Sequence, residues 1–302
     1  MSAPLEIPTP PEGAECGSGS STLRFEDIAQ DGRLRLEGVW PPIGPLLWNR
    51  MAFAKTLARL GQHGVRAVLT RVVMEGGDEP ISVRNRCEHE VRYRLAHTVD
   101  ESGAPNRLIF DTWLDSFAPR GHENNPGAPA DGPRVRVARA YGQHVFTRPA
   151  APAGKHRVTA FEDPELPAVP PERTEWLSPA ELLALPADAE ALEPKLRPDT
   201  TTVVFGLAHT DGNQHVNFLA YPRLAEEAAL RRLRELGLDT RLLARRTDVG
   251  YRKPSFAGDA MRFVLRAYRR AGRVGIVGAF VPDGRELSVE RPHAVVRLEL
   301  SE

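Results

Sequence analysis

Leu60-Gly61 and Leu236-Gly237 close two helical stretches at matching places in the two halves of this chain, and similar strand-like runs follow each of them. A helix followed by several antiparallel strands has few ways to fold. The helix must bury its apolar stripe, and a strongly twisted sheet wraps round it. In the first half, "GPLLWNRMAFAKTLARLG" sets Leu47, Met51, Ala54, Leu57 and Ala58 at helical spacing and stops at Gly61. The runs "VRAVLTRVVME", "EPISVRNRCEHEVRYRLAHTV", "NRLIFDTWLDSFA" and "PRVRVARAYGQHVFTR" then each offer apolar residues to one face of a sheet. In the second half, "FLAYPRLAEEAALRRLREL" carries Leu219, Leu224, Ala228 and Leu233 on one side, and further strand-like runs follow it. Identity between the halves is weak, but their order matches. The expectation is an α+β chain of two such units, with their sheets continued across the join and a pocket at the seam.

A chain of 302 residues with 41% hydrophobic content has room for two cores. The boundaries predicted are a flexible N-terminal arm at 1–21, rich in Pro, Gly and Ser, and a first unit at 22–160. That unit opens on strand, turn and strand around Gln30-Asp31-Gly32. A Pro-rich linker at 161–198 holds a short helix capped by Ser178, and the second unit fills 199–302. Basic and acidic residues balance at 40 each, which leaves no net charge to attract a nucleic acid. Cys16 and Cys87 fit neither a disulfide framework nor a metal cluster, so a reducing cytoplasm is the simpler setting. No secretory leader is recognised, and no run approaches the roughly 20 apolar residues that span a bilayer, so membrane insertion is not expected.

Chemistry concentrates between Gly206 and Tyr221. Asp211, Asn213 and His215 gather before a helix predicted to begin near Val216, where free N–H groups and a positive dipole end would face a carbonyl. A carboxylate beside such donors can activate water or attack a carbonyl directly. The plainer alternative for Asp211 or Asn217 is a helix cap, and for Tyr221 a core-edge residue whose hydroxyl finds a partner. At least one of Glu226 and Glu227 reads as a solvated or salt-bridged surface residue near Arg223, Arg231 or Arg232, and neither reads as catalytic. His209, Asp211 and His215 lack the spacing of a zinc site, so no metal is expected.

The run D-x-N-Q-H-V-N from Asp211 to Asn217, followed by Tyr221 and Glu226-Glu227, resembles the signature of hotdog-fold thioesterases. It is most similar to that of the acyl-ACP thioesterases with two tandem hotdog domains. The resemblance implies an α+β tandem double hotdog, each unit a long helix wrapped by a strongly twisted antiparallel sheet. It implies hydrolysis of an acyl thioester presented by an acyl carrier protein or coenzyme A, with no further cofactor. Asp211 would then act on the thioester or on water, Asn213 would orient the reacting group, and His215 would complete the network. His209, Val216, Asn217 and Tyr221 are expected around the substrate, with Trp48 and Met51 of the first helix lining an acyl slot. The plant members carry a glutamate and a cysteine just after a strand motif similar to "VGYRKPSFAGD", where this chain has Pro254 and Ser255. Registering the two halves on their helix ends places Val39 opposite His215, so the first half reads as a degenerate, substrate-shaping unit. Basic residues between Arg241 and Arg273 suit a phosphopantetheine arm, the phosphates of coenzyme A or an acidic carrier. Two other readings stay open: a double-hotdog dehydratase, whose first-domain histidine motif is not found here, and a non-catalytic acyl-binding protein. A homodimer is compatible with any of them.

Overall fold

In the computed structural model, residues 6–41, 44, 46, 53–121, 132–284 and 287–301 are described. The chain divides into two units. One holds Ile7–Leu34 and Gly38–Trp176; the other holds Leu177–Glu302 with the short piece Arg35–Glu37.

Alternating side chains build the sheet of the first unit. Strand β1 is Glu15–Thr22, and helix α1, described over Phe53–Gln62, leads into β2 at Arg66–Gly76. Strands β3 (Arg86–Val99), β4 (Pro105–Pro119) and β5 (Arg134–Thr147) follow. All pairs are antiparallel, in the spatial order β1-β3-β4-β5-β2. In β3, Cys87, His89, Val91 and Tyr93 point to one buried face while Arg86 and Glu88 are exposed, the two-residue period of a half-buried strand.

The second unit repeats that plan. Strands β6 (Glu190–Ala191) and β7 (Arg197–Val204) both pair with β9, and helix α2 spans Ala220–Glu235. Strands β8 (Leu243–Tyr251), β9 (Ala260–Arg270), β10 (Arg273–Pro282) and β11 (Ala294–Ser301) run in the order β8-β11-β10-β9. Replacing β1 by β7 and β2–β5 by β8–β11 converts one sheet order into the other, so the repeat inferred from sequence is a repeat of topology. Helix α2 buries Tyr221, Leu224, Ala225, Ala228, Ala229 and Leu233 against β7–β11. Strands β10 and β11 are buried on both faces and accordingly read as nearly continuous apolar runs.

Three expectations change. The segment predicted as a flexible arm is ordered where described: Ile7 packs with Val73, Trp113 and Tyr141, the Trp113 indole donates to the Pro8 carbonyl at 2.7 Å, and Glu15–Thr22 is β1. Serine and glycine hid this strand, because an edge strand needs backbone pairing more than an apolar side-chain pattern. The expected hairpin at 22–36 reduces to one bridge, Ile28 to Leu34, flanked by short 3-10 turns.

The Pro-rich stretch is not a free linker either. Phe161 is buried against Phe146, Asp163 pairs with Arg59 at 2.9 Å, and Glu172 and Thr174 bond to Arg94, all within the first unit. Pro179–Leu183 is a 3-10 helix in the second unit, and Ser178 precedes it without a side-chain cap bond. That segment lies on β8 and β11. Gly250 has no room for a side chain because a Cβ there would stand 2.9 Å from the Pro179 Cβ, and the buried Arg297 guanidinium donates to the Leu182 and Ala184 carbonyls. Proline suits such straps, since it covers a face without needing to donate a hydrogen bond.

Candidate active site

The residues from Gly206 to Val216 form a closed turn. Leu207–His209 is one 3-10 turn, with the Gly206 N–H donating to His209 Nδ1 at 3.0 Å, and an antiparallel bridge between Thr210 and Val216 shuts the loop. Inside it the Asp211 N–H donates to the His215 carbonyl at 3.1 Å and the Gln214 N–H to the Asp211 carbonyl at 2.9 Å. The Asp211 carboxylate, half-buried, accepts the Asn213 N–H at 2.9 Å on one oxygen and the Asn217 amide at 3.2 Å on the other. Each oxygen keeps a further acceptor direction. Asn213 and His215 are exposed, and the His215 ring stands edge-on to Phe256 at 5.2 Å.

Helix α2 starts later than expected. It opens at Ala220, while the Val216 N–H already donates to the Ser255 carbonyl at 2.8 Å and the Asn217 N–H to the His209 carbonyl at 2.7 Å. Those two donors are therefore not available to a substrate carbonyl. Leu219 is the N-cap, without a side-chain cap bond, and Asn217 holds the turn just before it, its side-chain oxygen accepting the Leu219 N–H at 2.9 Å. Pro222 falls in the first turn of the helix, where its missing N–H costs nothing. Val216 and Tyr221 are buried, and His209 is half-buried with its ring edge-on to Phe205. Trp48 and Met51 lie outside the described residues.

The first unit contains a second copy of this turn. Phe25–Asp27 is its 3-10 turn, and the Arg24 N–H donates to the Asp27 carboxylate as the Gly206 N–H does to His209. The Ala29 N–H donates to the Arg33 carbonyl at 2.8 Å and the Gly32 N–H to the Ala29 carbonyl at 2.9 Å. Ala29 thus stands where the other turn has Asp211, Asp31 where it has Asn213, and Arg33 where it has His215. This replaces the register that set Val39 opposite His215. The turn lies farther along the chain from the end of the helix in the first half, Ala29 to Gly61 against Asp211 to Gly237, so alignment on the helix ends slides the turns apart.

Gly32 adopts φ +84° in one turn, and Gln214 adopts φ +63° in the other. A side chain in the left-handed region costs roughly 1 kcal/mol, which glycine avoids. The substitution Gln214→Gly is expected to stabilise the protein by about 0.5–1 kcal/mol, read as a higher urea midpoint with an unchanged slope. A lower midpoint would mean that the Gln214 side chain holds the turn.

Sequence reasoning missed what lies under the turn. The Tyr221 hydroxyl donates to Ser255 Oγ at 2.9 Å, and Ser255 Oγ is 3.0 Å from His293 Nδ1. Phe205, Tyr251 and Phe280 surround the Tyr221 ring at 5.4–5.7 Å. Burial raises the Tyr221 pKa, opposed by the Ser255 bond and assisted by Asp259. Burial lowers that of His293, with Lys253 acting the same way and Asp259 and the Pro254 carbonyl opposing. His293 carried no signal, since no motif or spacing links it to Ser255.

The acidic pair and the basic run also settle differently. Glu226 is half-buried, with its pKa raised by burial, and accepts the Ala244 N–H at 2.9 Å, while Glu227 is exposed. Arg231 pairs with Asp199 and Arg232 with the buried Glu193, both at 2.6 Å. Arg245 is buried, Arg262 pairs with Asp283, and Arg270 pairs with Asp188 and Glu299. Arg252 and Lys253 are exposed beside Ser255. Among the described residues no cluster of His, Cys, Asp and Glu could hold a metal ion.

Two tandem units, each a helix on an antiparallel sheet, define an α+β double hotdog, the fold of known acyl thioesterases. A structure from Lactobacillus plantarum described as an oleoyl thioesterase matches with a TM-score of 0.61 and 16% identity, covering 96% of each chain. A 12:0-ACP thioesterase from Umbellularia californica matches with a TM-score of 0.56 and 12% identity over 95% of this chain and 94% of its own. An acyl-ACP thioesterase from Bacteroides thetaiotaomicron gives 0.52 and 16% over 95% and 98%. At such identities the likeness is one of fold. No family model matches the sequence, and no curated protein matches it significantly.

Proposed function

We propose that this protein hydrolyses acyl thioesters at the Asp211 turn, releasing a carboxylic acid and a thiol. One observation carries the reading: the same turn forms around Ala29 in the first unit with no carboxylate at that position. The turn therefore closes without a carboxylate at the Asp211 position, Asp31 holding the Arg33 N–H instead. In the simpler route it takes a proton from water as the water oxygen bonds to the thioester carbonyl. The tetrahedral intermediate then expels the sulfur, which leaves as thiolate or takes that proton. In the alternative route Asp211 attacks the carbonyl, the C–S bond breaks and the thiolate leaves, and water then cleaves the resulting anhydride to the acid and the free Asp211 carboxylate. The Asn213 amide and the His215 ring, both exposed on the turn, orient the reacting group and complete its hydrogen bonds.

The acyl group arrives on the phosphopantetheine of a carrier protein or on coenzyme A. Exposed Arg252 and Lys253 near the turn favour a negatively charged carrier. A panel of short, medium, long-chain and aryl thioesters on both carriers, followed by thiol release, tests the proposal. Thiol release from at least one is expected. Silence across the panel with water loss from 3-hydroxyacyl thioesters would transfer the site to dehydration, and silence with tight acyl binding would leave a binding protein.

A further inference from the structure

Tyr221, Ser255 and His293 come from helix α2, the loop between β8 and β9, and the residue just before β11, yet they form one hydrogen-bond chain. The direction of that chain follows from its members. Ser255 Oγ accepts the Tyr221 proton, so its own proton is free to be given, and it faces His293 Nδ1 at 3.0 Å. A Ser255 hydroxyl that donates to Nδ1 requires the proton of a neutral His293 on Nε2. Its backbone is pinned at both ends: its N–H donates to the Phe280 carbonyl, and its carbonyl accepts the N–H groups of Arg252 and Lys253.

The charged and titratable groups facing the ring are Tyr221 from α2 and Lys253 and Asp259 from the loop. Strand β10 supplies the Phe280 carbonyl that accepts the His293 N–H. Burial and Lys253 both work against an imidazolium here. Ser255 itself is fully buried, which leaves no path for an acyl carbonyl to reach Oγ and rules it out as the nucleophile. Its backbone carbonyl, however, holds the Val216 N–H at 2.8 Å, at the closing bridge of the Asp211 turn.

We propose that His293 is a positioning residue of this site: in its neutral form it fixes Ser255, and through the Ser255 carbonyl it fixes the turn that presents Asp211. The inference rests on the hydrolytic reading above. Protonating His293 puts a donor on Nδ1, so Ser255 then faces two donors and its own buried proton loses its acceptor. The grip on the turn loosens, and turnover falls on the acid side while substrate affinity changes little.

The test measures kcat and KM against pH for wild type and His293→Asn, whose amide reaches the Nδ1 position but does not titrate. Wild type is expected to lose about tenfold in kcat as His293 is protonated, with KM nearly constant. His293→Asn should retain most of the neutral-pH kcat and lack that loss. Ser255→Ala should lose about tenfold in kcat at neutral pH, and Ser255→Cys should recover part of it. Protonation of the Asp211 carboxylate gives both proteins a common acid limb, and a wild-type fall no larger than that of His293→Asn at every pH overturns the proposal. A second measurement needs no turnover and no variant: nitrogen chemical shifts of the His293 ring in the folded wild type at neutral pH. A bare Nδ1 with Nε2–H is expected, and a protonated Nδ1 overturns the chain. The expected tautomer in a protein that hydrolyses no thioester would refute the hydrolytic reading alone, whereas turnover with the wrong tautomer would refute the chain alone.

Discussion

Replacing Asp211 by asparagine is expected to reduce thioester turnover by roughly a hundredfold or more, the usual worth of a positioned base or nucleophile. Stability should change by about 1 kcal/mol, because an asparagine side-chain oxygen can still accept the Asn213 N–H while the half-buried Asn217 amide loses its acceptor. The first unit supplies the control within the same chain. Its turn keeps the two closing backbone bonds at 2.8 and 2.9 Å around Ala29, with a carboxylate two residues on, where Asp31 accepts the Arg33 N–H at 3.0 Å, so a carboxylate at the Asp211 position is not what makes this loop close. Asn213→Ala should cost less rate, since it leaves the charge in place and removes only an orienting amide. The measurements are steady-state thiol release and thermal unfolding of each variant. An Asp211→Asn protein with near-normal turnover and a collapsed melting temperature would identify Asp211 as a structural cap and sink the mechanism.

Acidification from pH 7 toward pH 4 is expected to remove several kcal/mol of stability from the first unit, with His89 and His144 as principal sources. Both lie inside the sheet. His89 is bonded by Ser116 at 2.9 Å and Ser21 at 2.7 Å, and His144 has its Nδ1 3.3 Å from the Phe110 carbonyl and its ring against Phe110. Burial lowers each pKa from 6.5 to about 4. Between those values the unfolded chain binds protons that the folded chain refuses. Stability from this source is therefore complete above about pH 6.5 and is lost as pH falls toward about 4. A drop of that size is worth about 2–3 kcal/mol per histidine. Urea unfolding at pH 7 and pH 4.5 checks it, with His89→Gln and His144→Gln as non-titrating variants. Each variant should start less stable and lose about 2 kcal/mol less than wild type between the two pH values. Parallel losses in wild type and variants would assign the acid sensitivity to the carboxylates instead.

Much of the architecture was legible because it is periodic. The alternation in β3 and the apolar stripe Leu224, Ala228, Leu233 of α2 report which faces are buried, and the repeated helix-then-strands order reports two units. The Asp211–Asn217 run was legible as a polar turn for the same local reason: its aspartate and Asn217 bond to each other or to backbone within a few residues. Where backbone pairing carried the structure, sequence reading failed. Strand β1 is built from serine and glycine on a sheet edge, and the Pro-rich segments lie across sheet faces because of where they pass in space.

The sequence by itself determined the tandem plan, the place of the polar turn and the residue types available for chemistry. Tertiary structure alone decided that α2 begins at Ala220, that the Val216 N–H belongs to Ser255, and that His293 meets Ser255 and Tyr221. It also decided that the true counterpart of Asp211 is Ala29 and not a residue near Val39. Side-chain period is a property of neighbours along one strand or helix, so it survives in the linear sequence. A hydrogen bond between two loops depends on how far each chain travels before it returns, and that distance is fixed only when the sheets close on their helices.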